Sequence, residues 1–250
     1  MGKPGFAFVL AVNVLLTGVV ILPNWAAADR DPVLEEVVVT AGRIEEKKKY
    51  ISANITVITE EEIKQSPARN LGELLAEKSI GHIQRYPGSN TSIGIRGFKT
   101  DSHGNDLKGH VLVLLNGRRA GTGNLAKLSM NNVARIEVLR GPGAVQYGSA
   151  GMGGVVNVIT REGMDNGVSL GVGYGSFEEQ EISAGATAKQ GGFDFAGAVT
   201  SSSRDDYKTG DGEFFRNTGV DGRVDLSANG GYTLFPGNRV SIILTGVDVD

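Results

Sequence analysis

The feature that most constrains this chain is a long alternation of apolar and polar side chains that begins near residue 167. One face of the first stretch carries Val168, Leu170, Val172 and Tyr174, and the other carries serine and glycine. Successive side chains of a β-strand point to opposite faces, so a period of two residues indicates strands. The alternation returns around 181–189 and 220–234. The chain after residue 163 is therefore predicted to form about five antiparallel strands.

The length of these strands bears on their surroundings. Strands of about ten residues that are apolar on one face and polar on the other are typical of a transmembrane β-barrel. A soluble sandwich gives similar alternation in shorter strands, and the pattern alone leaves both open. The connections at 190–192 and 235–238 are short, whereas the charged connection at 203–216 is long. Short turns on one side and long loops on the other are expected of a barrel.

The N-terminus has the pattern of a secretory signal peptide over residues 1–28. Lys3 gives a positive start, the stretch 6–22 is mostly apolar, and Ala26-Ala27-Ala28 supplies small residues for cleavage. We expect cleavage after Ala28. A retained transmembrane helix is the alternative, but the apolar stretch lies at the lower limit of length for one.

Composition excludes several classes of function. The 25 Lys and Arg nearly balance the 28 Asp and Glu, so no basic patch suggests a nucleic-acid partner. The absence of cysteine excludes disulfides, thiolate zinc sites and cysteine nucleophiles. The sequence 167–171 matches G-x-S-x-G but lies inside an alternating strand, where a nucleophile elbow needs a strand-to-helix turn. The chain is predicted not to be an enzyme and to require no cofactor.

Residues 50–162 have the pattern of a small α+β domain. Thr59 and Glu62 have the spacing of a capping box, and Asn70 is placed to cap a second short helix. Asn116-Gly117 after a run of apolar residues predicts a hairpin turn.

A valine-rich segment precedes this domain. It comprises Glu36, Val37, Val38, Val39 and Thr40. These residues favour extended backbone, and the neighbouring charges favour a solvated segment that can pair with the sheet edge of a partner. An ordinary first strand of the next domain is an equally good interpretation from these residues alone.

Several blocks of the middle region then carry a specific resemblance. They are Ile95-Arg96-Gly97-Phe98, residues 113–118, residues 135–142, Gln146-Tyr147-Gly148 and residues 153–160. In this order, over residues 35–162, they resemble the plug of TonB-dependent receptors.

The resemblance implies a fold and a division into domains. The fold is an α+β plug followed by the first antiparallel strands of a transmembrane β-barrel, which in the family has about 22 strands. The expected domains are a signal peptide at 1–28, a TonB box and linker at 29–49, the plug at 50–162, and the first barrel strands at 163–250. About five strands cannot close such a barrel, so we expect the chain to be truncated relative to a longer protein.

The resemblance also implies partners and a mechanism. Ligand binds at the extracellular face of the plug, and TonB, energised by its inner-membrane complex, then pulls on the box, here Glu36 to Thr40. The receptor is expected to be a monomer in outer-membrane lipid that binds a metal-chelate ligand and no nucleic acid. Arg96 and Arg140 match arginines that lock the plug to barrel carboxylates. Alternatively, they only cap strand ends within the plug.

The ligand contacts are placed by the resemblance in the outward loops of the plug. The candidates are Arg85, Tyr86, Ser89, Asn90, Lys99, Arg119 and Asn124. A ferric siderophore is the first expectation because it is the commonest ligand of the family, and cobalamin is the second. Two alternatives outside transport are a signalling receptor, which would need a further domain before the box, and a soluble envelope binding protein made of the plug alone.

The long charged connection also suggests a metal site. Asp205, Asp206, Asp211 and Glu213 could together supply oxygen ligands to Ca²⁺. A solvated acidic loop is the interpretation that we favour.

Overall fold

A computed structural model describes residues 38–39, 46–47, 54–86, 90–103, 109–216 and 218–249, with backbone alone at 38–39, 46–47 and 142–146. The predicted signal peptide, Glu36, Val37, Thr40 and Ser89 lie outside these ranges. In the part of the chain that is described, no helix is long and apolar enough to cross a membrane.

The plug region consists of short strands and two short helices. Its strands are β3 (Asn54–Thr59), β4 (His82–Tyr86), β5 (Asn90–Ile95), β6 (Phe98–Lys99), β7 (Val111–Leu115), β8 (Arg118–Arg119), β9 (Val133–Arg140) and β10 (Gly154–Thr160). The α-helices are α1 (Glu60–Gln65) and α2 (Leu71–Glu77), and 3-10 turns cover Leu125–Lys127 and Pro142–Gly151. Two further strands, β1 (Val38–Val39) and β2 (Glu46–Lys47), pair with each other upstream.

The centre of the plug is a five-stranded sheet in the order β3-β9-β10-β7-β8. The β10–β7 pair is parallel, and the other pairs are antiparallel. Both faces of β7 are buried, which explains why its sequence Val-Leu-Val-Leu-Leu is continuously apolar instead of alternating. A second sheet, β4-β5-β6, lies beside the same core.

The helix caps form as the sequence predicted. Thr59 Oγ1 accepts a hydrogen bond from Glu62 N at 3.3 Å, and Glu62 Oε2 accepts one from Thr59 N at 2.9 Å. Asn70 Oδ1 accepts from Glu73 N at 3.0 Å at the start of α2. Each cap satisfies backbone N–H groups that have no partner inside the helix. The caps therefore fix where both helices begin.

The residues after 163 form a second five-stranded sheet, which we call the wall sheet. Its strands are β11 (Gly167–Gly175), β12 (Glu179–Gln190), β13 (Phe193–Arg204), β16 (Val220–Phe235) and β17 (Asn238–Val249), in the order β11-β12-β13-β16-β17. All four pairings are antiparallel. The small hairpin of β14 (Tyr207–Lys208) and β15 (Phe214–Phe215) lies in the long connection. The predicted five strands are confirmed.

The two faces of the wall sheet differ as the alternation predicted. The apolar side chains of one face are exposed, with Val168 79% and Leu170 74% accessible. On the other face, plug-facing residues of β13 and β16 are at most 6% accessible: Ala196, Thr200, Asp225, Ser227 and Asn229. An apolar outer face and a mainly polar inner face match the pattern of a barrel wall in lipid.

Candidate functional site

A pocket of about 580 Å³ opens where the sheet β4-β5-β6 meets the start of β3 and the end of β9. Arg96, Lys99 and Arg140 are among its lining residues, and no aspartate or glutamate is. Three cations without a carboxylate make a strongly positive surface that favours an anionic partner. The structure therefore brings Arg96 and Arg140, the two predicted lock residues, into one pocket.

Arg140 is the last residue of β9 and is held from one side only. Its Nη2 donates a hydrogen bond to Thr56 Oγ1 at 2.6 Å on the neighbouring strand β3. Its Nε is buried and has no hydrogen-bond partner among the described residues. A buried N–H of a charged group is costly when unpaired. Arg140 Nε can therefore still donate a hydrogen bond to an acceptor outside the described residues.

Arg96 occupies the turn between β5 and β6. Its φ of 53° lies in the left-handed region, and Gly97 follows with a φ of 82°. The guanidinium rests beside Gly141, where an added Cβ would lie 2.5 Å from Nη1. The turn therefore aims Arg96 back towards the end of β9. Within the described residues, neither Arg96 nor Arg140 forms an ion pair with a carboxylate.

Two of the predicted ligand loops meet at the end of β4. The rings of Tyr86 and His103 make an edge-to-face contact with centroids 5.6 Å apart. Arg85 lies next to Tyr86, and its Nη1 is 3.4 Å from Glu73 Oε1. The positive charge of Arg85 is therefore largely compensated at this site.

Of the remaining predicted ligand contacts, Asn90 pairs with Tyr86 across the β4–β5 ladder, and the others have separate places. Asn124 is 4% accessible, and its Oδ1 accepts hydrogen bonds from Thr91 N and Ala126 N, so it holds a loop against β5. Lys99 lines the cationic pocket, and Arg119 lies on the short strand β8. Asn90 begins β5, and its Oδ1 is buried without a hydrogen-bond partner in the described part of the chain. The predicted set is thus distributed over several places.

The described part of the valine-rich segment is extended. Val38 pairs with Lys47 and Val39 with Glu46 in an antiparallel ladder. This two-stranded sheet is separate from the plug sheet. Val38 and Val39 therefore have the extended backbone that strand addition requires, without being a strand of the plug sheet.

The acidic residues of the long connection do not form a metal-binding group. Asp206 Oδ1 accepts hydrogen bonds from Thr218 N at 2.8 Å and Gly219 N at 2.7 Å, so it shapes the base of the connection. Over the ranges that the structure covers, no group of three or more His, Cys, Asp or Glu is placed to hold a metal ion.

The polar contacts between plug and wall sheet were not predicted. Asn132 Nδ2 donates to the carbonyl oxygen of Ala196 at 3.0 Å, and Asn229 Nδ2 donates to Thr160 Oγ1 at 2.9 Å. The available signal was the presence of asparagine and aspartate at inward positions of alternating strands. It indicates a polar inner face but not which plug residue each side chain meets.

The sequence is similar to a known domain family and to a known transporter. Residues 47–155 match the family model described as TonB-dependent Receptor Plug Domain. The vitamin B12 transporter BtuB of Vibrio cholerae serotype O1 is 33% identical in an alignment 185 residues long that covers 71% of this chain and 28% of that protein. The chain thus spans less than a third of the length of that curated relative.

Solved structures share the fold. FpvA of P. aeruginosa, bound to a heterologous pyoverdine, has a TM-score of 0.65 at 14% identity and covers 84% of this chain and 27% of its own. The ferric-catecholate import receptor Fiu of E. coli K12 has a TM-score of 0.58 at 19% identity and covers 79% of this chain and 27% of its own. These likenesses confirm the predicted fold class, an α+β plug followed by the first antiparallel strands of a β-barrel.

Proposed function

We propose that this chain, which belongs to the TonB-dependent receptor family through its plug domain, is part of an outer-membrane receptor for energy-coupled uptake of a scarce nutrient. The feature that carries the proposal is the cationic pocket, in which Arg96 and Arg140 converge without a carboxylate.

The pocket supports a specific mechanism for holding the plug. Arg140 keeps a buried Nε without a partner, and Arg96 is turned towards the same end of β9. Carboxylates on further barrel strands of a full-length receptor would satisfy both guanidinium groups with short charge-assisted hydrogen bonds. Such pairs hold the plug until TonB pulls on the box, and their loss leaves an uncompensated charge on the remaining partner.

The energy-coupling step is tested at the box. In the full-length receptor, Val38→Pro removes a backbone N–H that a strand ladder uses, so strand addition to TonB should fail. Energised uptake should fall at least tenfold, while ligand binding to whole cells stays unchanged. Lys47→Ala, which retains the backbone N–H, is the control. Unchanged uptake in Val38→Pro would refute coupling through this segment.

For the ligand, we propose a cobalamin-class corrinoid. The relative that is 33% identical is a vitamin B12 transporter. The charges around Tyr86 agree with a ligand of little net charge, because Glu73 compensates Arg85 and Lys99 lies in the pocket with Arg96 and Arg140. The siderophore receptors named above are at most 19% identical and support the fold alone.

The ligand is tested by measuring the uptake of two radiolabelled candidates separately. A deletion strain that carries the full-length gene is supplied with radiolabelled cyanocobalamin or a radiolabelled ferric catecholate. Saturable, TonB-dependent uptake of cyanocobalamin alone is expected, and Tyr86→Ala should weaken it. Uptake of the ferric catecholate alone would replace this ligand with a siderophore. Uptake should persist in the presence of a calcium chelator, because the proposal requires no metal cofactor.

The location is tested by fractionation. The exposed apolar face of the wall sheet, with Val168 and Leu170 more than 70% accessible, suits contact with outer-membrane lipid. The full-length protein should be recovered in the outer-membrane fraction after removal of the signal peptide. Recovery as a soluble periplasmic protein would favour the alternative of an envelope binding protein made of the plug.

A further inference from the structure

The end of β10 is bonded to the wall sheet by a cluster of side chains that we call the latch. It consists of Asn116, Thr160, Glu162, Asp194, Asn229 and Arg239. Asn116, Thr160 and Glu162 belong to the plug and the segment that leaves it, and the other three belong to wall strands β13, β16 and β17.

Asn229 is the centre of the latch. It is 2% accessible, and its Nδ2 donates to Thr160 Oγ1 at 2.9 Å and to the carbonyl oxygen of Arg161 at 3.0 Å. Its Oδ1 accepts a hydrogen bond from Arg239 Nη2 at 3.0 Å. Thr160 is 3% accessible and also accepts from Asn116 Nδ2 at 2.8 Å. These buried groups therefore satisfy one another across the boundary between plug and wall.

An ion pair supports Asn229 from the wall side. Arg239 Nε and Nη2 contact Asp194 Oδ2 and Oδ1 at 2.8 and 2.5 Å, and Arg239 Nη1 lies 3.3 Å from Glu162 Oε1. The side chains of Arg239 and Asp194 are 17% and 8% accessible. A bidentate pair with so little exposure is geometrically specific and weakly screened by salt.

Further contacts extend the attachment along β13. Asn131 Nδ2 donates to Thr200 Oγ1 at 2.6 Å, and Asn132 Nδ2 donates to the carbonyl oxygen of Ala196 at 3.0 Å. Ala196 is fully buried and Thr200 is 6% accessible. The plug is therefore attached to the wall sheet at several positions along β13.

The two ends of the β9–β10 ladder differ in their contacts with the wall sheet. Thr160 pairs with Val133 at the latch end of the β9–β10 ladder, whereas Gly154 pairs with Arg140 at the other end. Six residues of strand separate the two ends by about 20 Å. The far end carries the cationic pocket, where Arg96 and Arg140 have no carboxylate partner among the described residues.

We propose that the latch stays closed throughout transport, and that the rearrangement which admits ligand is confined to the Arg96–Arg140 end of the plug. Opening the latch would leave several buried donors and acceptors unpaired at once, whereas at the pocket end the described residues hold no ion pair of Arg96 or Arg140 that a rearrangement would have to break. The ligand then passes on the pocket side of the plug and not along β13 and β16. This inference rests on the proposed transport function.

The first test fixes the latch covalently. This chain has no cysteine, so the double substitution Thr160→Cys with Asn229→Cys introduces one pair whose parent side chains are in contact. In the full-length receptor, uptake after oxidation should remain within twofold of uptake after reduction. A loss of more than tenfold on oxidation that a reductant restores would overturn the proposal. Asn131→Cys with Thr200→Cys serves as a second pair at the neighbouring contact.

The second test opens the latch and does not depend on disulfide formation. Asn229→Ala should let vancomycin enter cells, seen as at least a fourfold lower inhibitory concentration, while heat-modifiable mobility shows a folded barrel. Ser227→Ala is the matched control: Ser227 is 1% accessible on the same strand and face, and its Oγ has no hydrogen-bond partner in the described residues. Equal vancomycin entry in both variants would overturn the proposal that the Asn229 contacts hold the plug against the wall sheet. Absence of uptake in the wild type would reject the transport function. The difference in vancomycin entry between Asn229→Ala and Ser227→Ala would still show whether the latch holds the plug against the wall sheet.

Discussion

The guanidinium group of Arg96 occupies the space beside Gly141 that any side chain at that position would fill. An added Cβ would lie 2.5 Å from Arg96 Nη1, and the φ of Gly141 is 100°. Gly97 also has a positive φ, 82°, but an added Cβ there meets nothing within 4 Å. These two glycines therefore separate the cost of backbone strain from the cost of displacing Arg96.

Gly141→Ala should displace Arg96 from the pocket, in addition to a backbone cost of about 1–3 kcal/mol. Gly97→Ala should cost about 1–2 kcal/mol of backbone strain and leave Arg96 in place. In the full-length receptor, uptake should fall several-fold in Gly141→Ala and little in Gly97→Ala. Equal losses of uptake in the two variants would show that the position of Arg96 does not matter.

Asp194→Ala should destabilise the folded receptor, because it removes the bidentate partner of the largely buried Arg239 and leaves it only Glu162 and Asn229 among the described residues. Breaking a mostly buried ion pair costs about 3 kcal/mol. Glu60→Gln is the control, since its pairs with Arg161 and Lys64 involve side chains that are at least 28% accessible, and such pairs contribute about 1 kcal/mol or less each. The difference in the free energy of unfolding between the two variants is measured by denaturant unfolding in detergent. The comparison holds where the dependence of that free energy on denaturant concentration is the same in both variants. The assignment is wrong if Glu60→Gln costs as much as Asp194→Ala.

The local features of the fold could be predicted because each depends on residues close in sequence. The capping box of Thr59 and Glu62 needs one helical turn, and the turn at Asn116-Gly117 needs two residues with positive φ, which are 49° and 76° here. The alternation from Val168 onwards reports which face is apolar, and the exposed face of the wall sheet agrees.

The candidate site was predictable only in part, because its members meet through long-range pairing. Arg96 and Arg140 were identified through motif resemblance, and their convergence depends on β9 and β5 folding over one core. Asn124 was predicted as a ligand contact, but its Oδ1 binds Thr91 N, 33 residues away. The hydrogen bond between Thr160 and Asn229 spans 69 residues. No periodicity in the sequence specifies such a partner.

Gly163→Ala should prevent the plug from joining the wall sheet correctly. An added Cβ at Gly163 would overlap the carbonyl oxygen of Ala188 and the backbone of Phe195, and backbone atoms cannot move aside as a side chain can. Gly167→Ala is the control, since its added Cβ lies 3.5 Å from Thr187 Oγ1, an ordinary contact. The fraction of folded, heat-modifiable receptor should fall sharply in Gly163→Ala alone. Full assembly of that variant would contradict the close backbone approach.

A charge on the outer face of the wall sheet should cost more than the same charge on its inner face. Leu170 is 74% accessible on the apolar face of β11, and Ser169 is its neighbour on the opposite face. Lysine facing the middle of a bilayer costs about 2–4 kcal/mol, whereas a polar lumen accepts it. Leu170→Lys should therefore lower the unfolding free energy of the full-length receptor in lipid vesicles, and Ser169→Lys should change it little. If Ser169→Lys were the more destabilising substitution, the lipid-facing side of the sheet would have been assigned the wrong way round.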